Sequence, residues 1–318
     1  MPEFVTNNIS TINFVLINIA LGLSIYITLA TGLLSLSNAG FMAIGAYTVA
    51  IILAEAHMPF ALGFVLAIVL GVALAIPIGM LVLGLRDIYL AIATLGFGEI
   101  VRIIALNGDK VVRLFSENKD ITVFNGAEGI TLTYTTPKLL LGLPDTTWPI
   151  LIYVMVVIYL LATLHNSRYG RILASIRQDE TAASTLGVNV VRYKLLAFVL
   201  GSAIAAGAGA LSAPIVRVID PHNYVFSRGV DILAYAVLGG MTHWVGPILG
   251  ATVLTSLPET LRFLKDQRDI VNGLIIMLSI IYLPFGLADP RIMVLLRKIF
   301  AFQWLSRSHT HKSAKDLE

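Results

Sequence analysis

Between Pro59 and Gly84 the chain carries no charged side chain at all, and a run of that length leaves few structural choices. A helix needs roughly 20 apolar residues to cross a hydrocarbon core. Similar apolar segments recur at 12–34, 40–55, 88–107, 195–216, 229–241, 245–261 and 270–287, with one more opened by Trp148 as an interfacial anchor. Lipid offers no partner to a bare amide, so segments of this kind are helical. The expectation is therefore an all-α, polytopic helical membrane protein with about eight to ten transmembrane helices. Composition agrees: 57% of the 318 residues are hydrophobic and 13% charged, against about 25% charged in soluble domains.

A long polar interval with a marked charge excess lies between strongly apolar flanks at 170–194. Arg168, Arg171, Arg177, Arg192 and Lys194 face only Asp179 and Glu180 there, a cationic excess that the positive-inside bias places in the cytoplasm. A single helix would put Asp179 in the middle of the apolar face built by Ile172, Ile176, Ala183 and Leu186. Two short helices fit better. Asp179 caps the second, Glu180 favours its positive end, and Gly187 closes it in a left-handed turn. Ala182 and Ala183 are small enough for another protein's backbone to come close. A helix lying flat on the membrane surface is the alternative.

Counting outward from this interval gives about nine spans, an outer N-terminus and an inner tail. The organisation expected is an N-terminal tail (1–11), a transmembrane domain (12–287) and a basic cytoplasmic tail (288–318). Within the domain, 108–147 is a charge-balanced extracytoplasmic loop and 166–194 a cytoplasmic one. The short segment 262–269, with three basic residues on the outer side, fits the count less well. Asp87–Gly98 and Asp231–Gly240 share the order Asp-Ile, Leu-Ala, Leu-Gly, an echo that suggests an inverted repeat with short broken helices. Chance similarity among Ala, Leu and Gly is the other explanation.

Glu99 and Arg102 are the acid and base that lie well inside an apolar segment, three residues apart on one helical face. Charge at such depth points to a cavity or partner, while a pair at this spacing also bonds to itself and fixes packing. Catalysis has no constellation to rest on. The chain has no cysteine and no Gly-Lys dipeptide, hence no phosphate loop. His309 and His311 sit in a polar tail, which favours solvent over metal. The net charge of +3 collects in cytoplasmic segments and suits anionic lipid, with no nucleic-acid patch. No cofactor is expected. If ATP drives this protein, another polypeptide holds the nucleotide.

The run Glu180-Thr181-Ala182-Ala183 with Gly187 resembles the EAA loop by which membrane subunits of ABC importers dock onto their ATPases. The stretches 31–47 (TGLLSLSNAGFMAIGAY), 89–102 (YLAIATLGFGEIVR), 125–130, 169–194 and Gly239-Gly240 to Gly250 resemble, in order, the branched-chain amino acid ABC permease family in its LivM-like branch. The resemblance implies a second homologous permease subunit, two ABC ATPase subunits and an extracytoplasmic amino-acid-binding protein as partners, in a prokaryotic inner membrane. It makes Ile176, Arg177, Asp179, Glu180, Ala182, Ala183 and Gly187 the ATPase-coupling loop. Ser37, Asn38, Thr94 and Glu99 are candidates to line the pathway, because a zwitterion with an apolar side chain calls for hydroxyls, amides and little fixed charge. Relatives often carry a Gly with His or Gln near Ser37 and Asn38, and an Arg in place of Phe285. These departures bear on the substrate. Urea or short amides are a rival cargo, an ion-coupled secondary transporter with Glu99 and Arg102 as relay is a rival mechanism, and a structural subunit is a third reading.

Overall fold

Ten α-helices form among the described residues of the computed structural model, which are 9–54, 58–85, 87–115, 124, 126, 128–132, 139–140, 143–144, 146–260, 273, 277 and 286–287. They are α1 (Ile9–Leu29), α2 (Asn38–Ala54), α3 (Phe60–Val82), α4 (Asp87–Phe115), α5 (Thr147–Asn166), α6 (Arg168–Gln178), α7 (Glu180–Thr185), α8 (Val190–Val216), α9 (Phe226–Gly239) and α10 (Val245–Thr260). Four two-residue strands, β1 (Ile130–Thr131), β2 (Leu139–Leu140), β3 (Leu143–Pro144) and β4 (Val218–Ile219), make two antiparallel pairs, β1 with β4 and β2 with β3. Five helices, α1, α3, α4, α5 and α8, are long and apolar enough to cross a membrane. The tail 288–318, the segment 262–269, Phe285 and nearly all of the expected last span lie outside the described residues.

The centre of the molecule is α8, against which α1, α2 and α3 pack. Small residues make this possible. A methyl group on Gly45 would overlap the Ala206 carbonyl, and one on Gly209 would overlap the carbonyl of Met42. Helices in lipid gain from such close approach because burying apolar surface brings them nothing extra there.

Two helices break and re-enter. α1 starts beside Asn223 and Tyr224 and ends where Gly32, at φ 79°, backs onto Arg177. Hydroxyls of Thr28 and Thr31 return to Ile25 and Thr28 carbonyls (2.8 and 2.6 Å), occupying acceptors of the final turn. The chain then doubles back, and α2 begins part-way along α1, where Asn38 Nδ2 donates to Ser24 Oγ at 2.7 Å. It runs back toward the starting end, where the Tyr47 hydroxyl donates to the Ile219 carbonyl at 3.3 Å.

The second half repeats this upside down. α8 starts at the Arg177 end, with Lys194 paired to Glu180, and finishes at Arg217, the one non-glycine residue with positive φ (63°) among those described. After β4 and a 3-10 turn at Pro221–Tyr224, α9 begins at the depth of Leu36, whose carbonyl faces Gly229. It returns to the Arg177 end. The N-termini of α2 and α9 thus meet inside the molecule, running in opposite directions.

Four expectations need correction. The apolar run 12–34 is a helix only to Leu29, since Gly32 turns the chain; the shorter run 40–55, whose length suits either a full span or a re-entrant one, is re-entrant. The loop expected at 108–147 begins later, because α4 continues to Phe115 and Asp109 Oδ1 accepts from the Phe124 amide at 2.7 Å, folding the loop onto the helix. The span expected at 229–241 begins at Phe226 and so includes Arg228. Finally, the echo at 87–98 and 231–240 joins α4 to α9, whereas chain order matches α1–α2 with α8–α9.

Candidate functional site

Two regions carry the chemistry, a pair of short helices at one end and the meeting point of the broken helices. In the pair, Ser167 Oγ accepts from the Gly170 amide (3.3 Å) to start α6. Asp179 Oδ1 accepts from the amides of Thr181 (2.8 Å) and Ala182 (3.0 Å) to start α7, satisfying donors that have no partner inside the helix. Glu180 follows in the first turn and pairs with Lys194 of α8. Gly187, at φ 84°, ends α7, and the Val188 amide donates to the Ala183 carbonyl at 3.2 Å.

Burial sorts the residues of this pair. Leu173 and Ile176 form its inner face, and so does Ala183, which is 3% exposed. The expectation that Ala183 offers bare surface to another protein is therefore corrected: it packs the pair onto its own chain. The outer surface belongs to Thr181, Ala182, Thr185 and Leu186, and Leu186, a leucine 84% exposed, stands at the tip.

Arg177 joins this pair to both repeats. Its Nη1 donates to the Met241 carbonyl beyond α9 at 2.9 Å, and its own backbone and side chain lie against Gly32, where α1 breaks. Beneath it is a cavity of about 500 Å³ lined by Tyr26, His165, Arg171, Gln178 and Met241 among others. The rings of His165 and His243 meet edge to face at 5.0 Å, and the Tyr26 hydroxyl lies 3.1 Å from His165 Nδ1. Burial, with His165 as a second cause, holds the His243 imidazole below its usual 6.5.

At the meeting point, Ser37, Asn38 and Thr94 come together and are all buried. Thr94 Oγ1 donates back to the carbonyls of Leu90 and Ala91 and accepts from the Leu36 amide at 3.0 Å, which ties the re-entrant segment to α4. Ser37 bonds to Ser35 at 2.8 Å, and Asn38 donates to Ser24 while its Oδ1 has no partner among the described residues. Glu99 stands in a narrow cleft with Leu36, Ala39, Phe226 and Gly229, between the two helix starts. Its carboxylate accepts from Arg102 Nε at 2.9 and 3.0 Å and from Nη2, so the pair bonds to itself as its spacing allowed.

One polar group escaped the sequence reading. Arg228 of α9, partly buried, lies on a second cavity of about 490 Å³ with Asn18 and Thr255. It stood just before the expected start of a span, so no depth was assigned to it. Its neighbours are distant in sequence, and only the reversal of the chain after α8 brings them together.

The family model described as branched-chain amino acid transport system / permease component matches residues 7–282. The high-affinity branched-chain amino acid transport system permease protein LivM of Escherichia coli (strain K12) is 33% identical over 299 residues, 89% of this chain and 69% of that protein. LivH, of the same description and organism, is 31% identical over 148 residues, 45% of this chain and 47% of its own. The ribose import permease protein RbsC of the same strain is 27% identical over 297 residues, covering 88% of this chain and 87% of RbsC. No solved structure matches the chain. A helical, multi-pass membrane architecture and a family match spanning nearly all of it lead to one assignment: the chain belongs to the branched-chain amino acid transport system permease family.

Proposed function

We propose that this permease imports branched-chain amino acids across a prokaryotic cytoplasmic membrane, powered by ATP hydrolysed on other chains. It would work beside a second homologous permease, two ATPase subunits and an extracytoplasmic binding protein. The observation that carries this reading is the position of Arg177. The short helices α6 and α7 are capped at both ends and exposed on one side, and Arg177 links them to Gly32, where α1 breaks, and to Met241, which follows α9. A push on α7 reaches both broken helices. Their N-termini flank the cleft that holds Glu99, so motion there opens or closes the passage. Discontinuous helices meeting inside a membrane are a common way to build such a centre.

In this reading Asp179, Glu180 and Gly187 keep the lever rigid, Ile176 and Ala183 seat it, and Ala182 with Leu186 meets the ATPase. Ser37, Asn38 and Thr94 hold the re-entrant segment, and Glu99 lines the passage. The domain limits 12–287 follow the apolar elements and the lever lies in the cytoplasm. Greater identity to LivM than to RbsC over equal shares of the chain supports an amino acid as cargo over a sugar.

Leu186→Arg tests the docking surface without touching the seat of the lever. Membrane insertion is expected to be normal while co-purification with the ATPase subunits is lost. Unchanged co-purification together with unchanged uptake would overturn the docking assignment.

A further inference from the structure

We infer that Arg228 is the subsite for the carboxylate of the transported molecule, set in the 490 Å³ cavity on the side of the molecule away from the lever. The inference rests on the amino-acid reading above and adds the residue that recognises the substrate's charged end.

Arg228 belongs to a ring of side chains from three helices. Its Nη2 donates to Asn18 Oδ1 at 2.7 Å and its Nη1 reaches the Tyr235 hydroxyl at 3.5 Å. Asn18 Nδ2 in turn donates to Thr255 Oγ1 at 3.0 Å. The ring fixes the amide of Asn18, whose side chain is buried, so that its oxygen faces the guanidinium. Every partner in it is neutral. Arg102, by contrast, is paired with Glu99 within its own helix.

A ring whose purpose were only to lock α1, α9 and α10 would work with a neutral amide in place of the guanidinium. A permanent positive charge amid apolar helices is costly and marks a functional place by default. Its two bonds leave further N–H donors of a planar fork that matches a carboxylate. The rest of the cavity suits the remainder of an aliphatic amino acid, since Phe14, Ile17, Met42 and Val216 line it. Its volume falls in the usual range for small-molecule sites, about 300–1,000 Å³. Met42 lies one turn beyond Asn38, so the cavity adjoins the start of α2, and Tyr224 lines both it and the cleft at Glu99.

The test uses the assembled importer, permease pair with ATPases and binding protein, in proteoliposomes. ATP-driven leucine uptake and ATP hydrolysis are measured for wild type, Arg228→Gln and Arg228→Lys. Glutamine can keep the bond to Asn18, and lysine keeps the charge but loses the fork. Uptake is expected to fall at least about tenfold in Arg228→Gln and less in Arg228→Lys, with co-purification of the ATPases intact. On wild type, 4-methylpentanoate inside the vesicles, where binding protein cannot intercept it, is expected to inhibit uptake and leucinamide to have no effect. Arg228→Gln is expected to lose that inhibition. Uptake within twofold of wild type in Arg228→Gln, with inhibition retained, overturns the carboxylate subsite and leaves the amino-acid importer standing. Should Arg228→Gln fail to insert, wild-type uptake by Arg228→Lys with equal inhibition by both analogues overturns it equally. An intact wild-type assembly that hydrolyses ATP without moving leucine overturns the importer reading and the subsite with it.

Discussion

At the scale of single residues, the molecule depends on where a Cβ atom is missing and where a charge is balanced. Gly45 and Gly209 each stand where a methyl group would meet a facing backbone carbonyl, of Ala206 and Met42. Gly45→Val is expected to cost at least about 1–3 kcal/mol by forcing α2 from α8, read as a lower melting temperature and reduced yield of monodisperse protein in detergent. The Glu99–Arg102 pair makes a second prediction. Glu99→Gln leaves a guanidinium uncompensated in an apolar helix, at a cost of roughly 2.5–3.5 kcal/mol if it lies at mid-bilayer and less toward the interface. The double variant Glu99→Gln with Arg102→Gln is expected to be more stable than Glu99→Gln alone, and thermal denaturation of all four proteins checks the sign. This pair was legible in the sequence because an i, i+3 spacing is local information. Arg228 was not, because its partners Asn18 and Thr255 come from helices that only the fold brings near.

At the scale of elements, the lever divides into a local and a tertiary part. Its breaks and caps follow from side chains bonding two or three residues ahead, so Asp179 and Gly187 announced two helices before any fold was known. The inward turn of Ala183 did not follow, because a six-residue helix has no apolar stripe long enough to fix its rotation, and contact with α8 decides it. Docking and transmission should therefore separate. Arg177→Ala leaves the exposed face of α7 untouched while removing the bond to Met241, and is expected to retain ATPase co-purification and ATP hydrolysis while uptake falls several-fold. The loop between α9 and α10 also carries a pH dependence. Since burial disfavours the charged form of His243, the folded state binds its proton less readily than the unfolded chain. That contribution to stability is full above pH 6.5 and is lost as pH falls below it. Hydrogen exchange in residues 240–244 is expected to quicken, beyond its intrinsic pH trend, as pH falls below 6.5, and His243→Gln to abolish the change.

At the scale of the whole molecule, two broken helices of opposite direction share one centre, and a lever at one end touches both. Helical class, membrane location and the order of apolar segments were readable from hydropathy, because lipid requires each segment to satisfy its own backbone. The re-entrant paths were not, since a half-span and a full span have similar composition, and only Gly32 and Arg217 show where the chain turns. On the proposed function, closure of an ATPase partner would move α6 and α7, Arg177 would carry the motion to the break at Gly32 and to Met241 beyond α9, and the passage between α2 and α9 would change its opening. The most direct measurement is leucine uptake into proteoliposomes whose proton and sodium gradients have been collapsed, with and without the ATPase subunits. The account predicts uptake that requires both the ATPases and ATP and survives the loss of the gradients. Concentrative uptake by the permease alone, or uptake that ends when the gradients collapse while ATP hydrolysis continues, would contradict it.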